Sequence, residues 1–197
     1  MVRDVPTGLG PVRFQCQLCG SCCRHEGFLV TLTGADVHRL SAALGLGFPE
    51  ILRALDFHFL ERGVLTPTGL RDVPQINTER GFAYLALKKM ANGDCVFLEN
   101  DQCMIHPARP GVCRSFPFVF RYDDGEPLWG FSAKQEICPG IGTGPVVSTS
   151  HLLELAETVL REQEMYSSLV DDWNNSESEP TAARFIEYIL SDTGALG

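Results

Sequence analysis

The sequence predicts an α+β fold: a small antiparallel β-hairpin or meander and short helices around a cysteine-ligated metal centre, followed by C-terminal helices. Three observations favour this class. All eight cysteines precede residue 139, apolar runs typical of strands occupy residues 81–107, and apolar residues recur at helical spacing on either side. The 197-residue chain is expected to form one main cysteine-bearing domain, residues 1–145, with residues 146–197 as a helical extension packed on it.

The first element is the segment FQCQLCGSCCRH, residues 14–25, in which four of twelve residues are cysteine. Thiolates separated by two residues can converge on one point because the chain curls back over that distance, so this unit recurs in zinc sites and in iron–sulfur sites. Here it repeats as Cys16-x-x-Cys19-x-x-Cys22, which is a ferredoxin-like arrangement. Gly20 permits a tight turn inside the run.

Two further features of the cysteines bear on the number of metal ions. In ferredoxin-like sites a remote Cys-Pro supplies a further ligand, and Cys138-Pro139 is such a pair. The side chains of the neighbours Cys22 and Cys23 are expected to point apart, so Cys23 either serves a second metal or is a buried thiol. The local spacing therefore favours an iron–sulfur cluster, whereas the total of eight thiols favours two metal centres.

The next two segments predict helices. TGADVHRLSAALG opens with Thr33 and Asp36 in a near capping box, has Val37, Leu40 and Leu44 on one face, and ends at Gly45. FPEILRALDFHFLER, residues 48–62, repeats the pattern with a proline at the first helical position. Its histidine, on the apolar face, is interpreted as a packed core residue.

The second group of cysteines is predicted to lie on a hairpin and a short helix. The segments CVFL and CMIH flank a short polar connection, which indicates a β-hairpin that carries Cys95 and Cys103 near its open end. Pro107 and Pro110 suit a turn or the first turn of a helix. Cys113 is expected to lie on that short helix and to face the hairpin.

The tail from Ser148 predicts two amphipathic helices, because apolar residues recur at helical spacing in residues 152–160 and 185–190. Between them DDWNNSESEP, residues 171–180, is acidic and polar and predicts an exposed loop. The glycine-rich segments GLGPVRF and GIGTGP are also predicted to be loops, since neither is placed between a strand and a helix as a phosphate-binding loop would be.

The candidate metal ligands are all the cysteines of the chain: Cys16, Cys19, Cys22, Cys23, Cys95, Cys103, Cys113 and Cys138. Three nearby arginines are candidates for contacting the bound group, because a guanidinium offsets thiolate charge and donates hydrogen bonds. They are Arg24, Arg109 and Arg114. His106 is within reach of a zinc ion bound at Cys103, but it is expected to cap a helix or to hydrogen-bond a ligand from outside. No catalytic residue is identified.

Composition and charge argue against several functions. The formal net charge is −9, whereas a general nucleic-acid binder is more often basic. No stretch approaches the roughly eighteen uninterrupted apolar residues that a membrane span needs, and the first residues lack the apolar centre of a signal peptide. A cytoplasmic protein is therefore expected. In that reducing compartment, cysteines indicate metal ligands or redox groups rather than disulfides.

The segments FQCQLCGSCCR, TGADVHRLSAALG, CVFLENDQCMIHPARPGVCRSFPF and CPG together resemble the bacterial YkgJ-like cysteine-cluster family over roughly residues 14–142. That family is described as a zinc- or iron-chelating domain, and its members are often labelled iron–sulfur-cluster proteins. The resemblance implies that all eight cysteines occupy family positions. His106 stands where relatives often carry tyrosine. A related cysteine cluster occurs in flagellin lysine methylases.

Three functions follow as alternatives. The favoured one is a metal-binding protein with an iron–sulfur cluster, of the four-iron type, in a redox or accessory role. The second is a structural zinc module that presents a surface to an unidentified protein partner. The third is an enzyme related to protein lysine methylases, for which the sequence shows no phosphate loop, dinucleotide fingerprint or catalytic triad.

Overall fold

The α+β class is confirmed by a computed structural model, which describes residues 3–4, 11–61, 63–175 and 179–192. The helices within these residues are α1 (Ser21–Arg24), α2 (Gly34–Leu44), α3 (Gly111–Ser115), α4 (Thr149–Asn174) and α5 (Ala182–Ser191). The strands are β1 (Arg3–Asp4), β2 (Arg13–Phe14), β3 (Leu55–His58), β4 (Ile76–Thr78), β5 (Gly81–Leu87), β6 (Leu98–Glu99), β7 (Gln102–Cys103), β8 (Phe118–Asp123), β9 (Glu126–Phe131) and β10 (Ile141–Val146).

A three-stranded antiparallel sheet of order β3-β5-β4 forms one wall of the main core. Its central strand is buried on both faces from Ala83 to Leu87, as its continuous apolar run predicts. Helices α2, α4 and α5 supply the rest of this core, for example through Leu40, Val170 and Phe185. Residues on both sides of position 145 therefore share one hydrophobic cluster.

Helix α2 forms where the sequence predicts it, because the residues at its two ends fix its start and its end by themselves. The Thr33 side chain accepts a hydrogen bond from the Asp36 amide at 3.2 Å, and the Asp36 carboxylate accepts one from the Thr33 amide at 3.0 Å. This capping box satisfies two amides of the first turn. Gly45 ends the helix with φ 64°. Leu44 is 37% exposed, so the buried face ends one turn earlier than the sequence predicts.

The predicted second helix, residues 48–62, is wrong. The chain makes one short 3-10 turn, Ile51–Ala54, and then enters strand β3, whose residues pair with β5 from Leu55 opposite Leu87 to His58 opposite Tyr84. Strand β5 needs a partner for its backbone groups, and this tertiary requirement outweighs the helical spacing. His58 is half-buried on this strand.

The predicted hairpin and short helix are confirmed. Strands β6 and β7 pair antiparallel through a turn in which Asn100 and Asp101 both have positive φ, 47° and 67°, which is the geometry of a two-residue hairpin loop. Cys103 lies on β7, whereas Cys95 precedes β6 and pairs with Lys89 in an isolated bridge. Cys113 lies on α3 as expected.

A second core lies outside the main one. Strands β8 and β9 form a hairpin, and β1 runs parallel to β9. Phe118 and Trp129 are buried with Leu152 of α4, and their rings meet edge to face at 5.7 Å. This hairpin holds the start of α4 against the body.

The glycine-rich segments predicted as loops include a strand pair. β10, within residues 140–146, pairs antiparallel with β2. A Cβ at Gly140 would overlap the carbonyl oxygen of Gln15, and Gly144 has φ 73° and also lies against Gln15. The glycines therefore allow two backbones to approach closely. Residues 8–10 of the first glycine-rich segment lie outside the described residues.

The C-terminal helices are confirmed, but the loop between them is shorter than predicted. Helix α4 continues through Asn174 because its last turn pairs with β4: the Trp173 indole donates to the Asn77 carbonyl at 2.9 Å, and the Asn77 amide donates to the Asn174 side chain at 2.8 Å. Residues 176–178 of the predicted loop lie outside the described residues. None of the helices that the structure describes is long and apolar enough to cross a membrane.

Candidate metal centre

A backbone hydrogen bond and the pairing of β2 with β10 place the first cysteine run beside the remote Cys-Pro segment. The amide of Gln15 donates to the carbonyl of Gly140 at 3.2 Å, so Cys16 and Cys138 lie close to the same contact. Gly140 has no room for a side chain at this point. The pairing of β2 with β10 therefore brings together residues more than 120 positions apart in the chain.

The same run packs against the β6–β7 hairpin. Gly20 has φ 68° and caps the N-terminus of α1, which carries Cys22 and Cys23. A Cβ at Gly20 would lie 2.9 Å from the Asp101 carbonyl oxygen at the hairpin turn. Glycine is needed here both for the left-handed backbone and for this close approach.

A backbone hydrogen bond connects the two cysteine groups. The Cys95 amide donates to the Cys23 carbonyl at 2.9 Å. The Lys89 ammonium donates to the same carbonyl at 2.9 Å and to the His25 carbonyl at 3.3 Å. Lys89 also interacts electrostatically with the Cys95 sulfur. The sequence analysis did not identify Lys89, because it lies six residues from Cys95 in the sequence and only the isolated bridge between the two brings them together.

Three thiols meet at the centre of the cluster. The sulfurs of Cys22 and Cys103 are both hydrogen-bonding partners of the Cys23 thiol, which has a single proton to donate to one or the other. This bond lowers the pKa of Cys22 to about 7 and the pKa of Cys103 to about 6, although burial opposes both shifts. The same two bonds raise the pKa of Cys23 strongly. Cys23 thus keeps its proton and can stabilise a thiolate on either neighbour.

Arg109 faces this trio. Its charge contributes to the lowered pKa of both Cys22 and Cys103. Its guanidinium donates a hydrogen bond to Nε2 of His106 at 2.6 Å. The pKa of His106 is lowered, mainly by burial and in addition by the charge of Arg109. The Nε–H of Arg109 is buried without a hydrogen-bond partner among the described residues.

Two more cysteines line the inner side of the trio. Burial raises the pKa of Cys95 and, more strongly, that of Cys113. Cys113 also interacts electrostatically with Cys22, Cys95 and Cys103, so α3 presents its thiol to the hairpin. These protonated thiols must lose their protons before they can bind a metal.

The remaining three cysteines lie on the outer side. Cys16 and Cys19 are exposed, and the Cys19 sulfur lies 3.2 Å from the Ser21 hydroxyl. Burial raises the pKa of Cys138, and its sulfur also interacts electrostatically with Cys22, Cys16 and Cys19, in that order. Cys22 therefore interacts both with Cys138 on the outer side and with Cys113 on the inner side.

The other two candidate arginines have different surroundings. Arg24 forms an ion pair with Asp101 and donates to the Cys19 carbonyl at 3.2 Å, so it joins the run to the hairpin turn. Arg114 donates to both carboxylate oxygens of Glu162 on α4, at 3.0 and 3.1 Å. Of the three arginines, Arg109 is the one that lowers the pKa of cysteines.

The donor set has the chemistry of a thiolate metal site. All eight cysteines are described and form no disulfide, and thiolates are the ligands preferred by zinc and by iron–sulfur clusters. Among the described residues, no three Cys, His, Asp or Glu side chains are arranged as a set of metal ligands around one point. The fold thus brings segments that carry the thiols together without arranging their side chains around a common point.

A family model described as "CxxCxxCC: Putative zinc- or iron-chelating domain" matches residues 15–139. The chain belongs to the CxxCxxCC family. The match contains all eight cysteines, so a zinc- or iron-chelating cysteine cluster is the family property that this chain shares. Searches of curated proteins and of solved structures found no match.

Proposed function

We propose that this CxxCxxCC protein holds an iron–sulfur cluster of the four-iron type and serves in a redox or accessory role. The observation that carries the proposal is the place of Cys138, because the β2–β10 contact holds its segment beside the first cysteine run; after burial, the charges of the Cys22, Cys16 and Cys19 thiols also raise its pKa. These are the three evenly spaced thiols of the run plus the thiol of the remote Cys-Pro pair, which is the ligand pattern of ferredoxin-like sites. A reducing, cytoplasmic location belongs to the same proposal.

Cys16, Cys19, Cys22 and Cys138, here called the outer set, would be held in place by the chain's own residues. The β2–β10 pair positions Cys138 beside Cys16, and Gly20 lets the run turn onto the hairpin. When bound, such a cluster supplies one-electron transfer. The exposure of Cys16 and Cys19 leaves one side of the site open to a redox partner or substrate.

A structural zinc site is a second candidate, and a separate observation favours it. The other four cysteines, here called the inner set, are also connected to one another: Cys23, Cys95, Cys103 and Cys113. The Cys95 amide donates to the Cys23 carbonyl, and the Cys23 thiol is a hydrogen-bonding partner of Cys103. Cys113 interacts electrostatically with Cys95 and Cys103. Four thiolates from a hairpin, a bridge and two short helices would supply all the ligands of a closed structural zinc site. The two candidates use different cysteines and can coexist.

The test is anaerobic purification with metal analysis, followed by reconstitution with ferrous iron and sulfide. Reconstituted protein is expected to absorb in the visible, where sulfide-to-iron charge transfer occurs, and Cys19→Ser is expected to abolish that absorption. Cys103→Ser serves as the matched variant from the inner set, and it is expected to retain the visible absorption while it loses bound zinc.

Two results would count against the iron–sulfur proposal. One is a colourless protein after reconstitution that binds zinc stoichiometrically, which would leave the zinc site as the function. The other is visible absorption that Cys19→Ser leaves unchanged, because Cys16, Cys19, Cys22 and Cys138 would then not hold the cluster.

A further inference from the structure

A cleft of about 350 Å³ lies beside the cysteine cluster. It opens between the N-terminus of α4, the β2–β10 pair and the segment that joins α3 to β8. Its apolar wall includes three phenylalanines, and its polar groups are one arginine, one serine and one histidine: Phe14, Phe116, Phe118, Arg114, Ser148 and His151. This volume and this mixture of aromatic walls with a few polar groups are typical of sites for small organic ligands.

The polar side chains that line the cleft can all donate hydrogen bonds: Arg114, Ser148 and His151. Among the residues that the structure describes, no aspartate or glutamate lines it, although the chain as a whole has 25 acidic against 16 basic residues. Arg114 has a buried Nε–H without a hydrogen-bond partner among the described residues. Its terminal nitrogen is held by Glu162 at 3.0 Å, which fixes the guanidinium in place. This Nε–H lies below the surface of the cleft, so a ligand acceptor would meet the accessible part of the Arg114 side chain, which is 27% exposed.

We propose that this cleft binds a small organic anion: a carboxylate carried on an aromatic or apolar body. The carboxylate pairs with Arg114 and His151, and the body packs against the phenylalanine rings. Guanidinium–carboxylate hydrogen bonds are the strong, orienting contacts of such a site, whereas the rings supply the buried apolar area. This inference does not depend on which metal the cysteines bind.

The cleft shares its supporting segments with the cluster. Arg114 directly follows Cys113 on α3, and Phe14 lies two residues before Cys16. The ring of Phe116 also contacts that of Phe28 at 5.4 Å, four residues after Arg24 of α1. A ligand in the cleft therefore lies against chain segments that position thiols of both the outer set and the inner set.

The test uses 3-phenylpropionate and its uncharged amide as probes of the metal-loaded full chain, measured by titration calorimetry. The acid is expected to bind saturably, and the amide is expected to bind about tenfold or more weakly because it lacks the charge-assisted bond. Comparable binding of acid and amide, or no saturable binding of the acid, overturns the proposal without any variant.

A pair of bulky substitutions locates the binding. Val146→Trp fills the cleft and is expected to abolish acid binding, whereas Val119→Trp adds the same bulk on β8 outside the cleft and is expected to leave it unchanged. Both valines are about half exposed, 46% and 47%, so neither change disturbs a core. Unchanged binding in a folded Val146→Trp variant, checked by circular dichroism, would place the ligand elsewhere and overturn the proposal.

Discussion

At the scale of single residues, the central feature is the protonated thiol of Cys23 between two sulfurs that ionise easily. Its hydrogen bonds hold the pKa of Cys22 and Cys103 at about 7 and about 6. Adjacent cysteines were expected to point apart, yet the thiols of Cys22 and Cys23 are hydrogen-bonded to each other. In metal-free protein this trio therefore contains the thiolates that are ready to bind at neutral pH.

Arg109→Gln tests the electrostatic part of this arrangement. Removing the guanidinium charge destabilises the thiolates, so the pKa values of Cys22 and Cys103 are expected to rise in metal-free protein. The measurement is the pH profile of iodoacetamide alkylation at each cysteine by mass spectrometry. The profile is expected to shift to higher pH at both sites. Arg24→Gln, whose charge is paired with Asp101, is the matched control and should leave both profiles in place.

At the scale of elements, one buried carboxylate joins the helices that support the cluster. Asp36 on α2 accepts a hydrogen bond from the Gly111 amide at the start of α3, at 2.8 Å, and pairs with Arg39. Arg39 in turn reaches Glu162 on α4 at 2.6 Å. Burial raises the pKa of Asp36, and its hydrogen bonds to Thr33 and Gly111 oppose that shift. The network sets the position of α3 and so of Cys113.

Asp36→Ala is expected to lower the free energy of unfolding by about 3 kcal/mol, because it removes one half of the capping box and leaves the buried Gly111 amide without its acceptor. Chemical denaturation of the metal-loaded protein measures this, with Asp56→Ala on the exposed face of β3 as control. A loss no larger than that of the control would show that Asp36 does not connect the helices in solution.

The contact between β10 and the first cysteine run is the second test at this scale. Gly140→Ala introduces a Cβ where the Gln15 carbonyl already lies, and overpacking of this kind costs about 1–3 kcal/mol. The variant should also bind less metal, because Cys138 is two residues away. Gly130→Ala is the matched control, since its nearest neighbour is 4.0 Å from the added carbon. Equal melting temperatures and metal contents would contradict the proposed role of this contact.

At the scale of the whole molecule, metal binding is expected to contribute a large part of the stability. The cysteines join segments from residue 16 to residue 138, and residues 63–67 between β3 and β4 are exposed, with Leu65 at 90%. Structural metal–thiolate sites contribute on the order of 10 kcal/mol, which is comparable to the total stability of a domain.

Chelator treatment is therefore expected to lower the melting temperature markedly, as measured by differential scanning calorimetry. The effect should depend on pH. Metal replaces protons on the thiols of Cys95, Cys113 and Cys138, whose pKa values are raised by burial, so the apparent metal affinity should rise as pH rises. Metal-free protein that melts at the same temperature as loaded protein, or an affinity independent of pH, would contradict this prediction.

The sequence by itself determined the features whose causes are local. Helix α2 is defined by its capping box and by Gly45, and the β6–β7 hairpin by a polar connection that can adopt positive φ. Cysteine spacing likewise identified the family and the eight candidate ligands, because thiol chemistry requires those residue types close together. These features need only a few neighbouring residues, so a single sequence contains them.

Tertiary structure alone decided the rest. Residues 55–58 form a strand because β5 requires a partner, and the last turn of α4 continues to Asn174 because β4 offers it backbone hydrogen bonds. In the sequence Arg24 and Arg114 are the arginines directly next to a cysteine, yet packing places Arg109 at the thiols and turns Arg114 toward Glu162. Such choices depend on pairings between residues far apart in the chain, whose energies no local pattern contains.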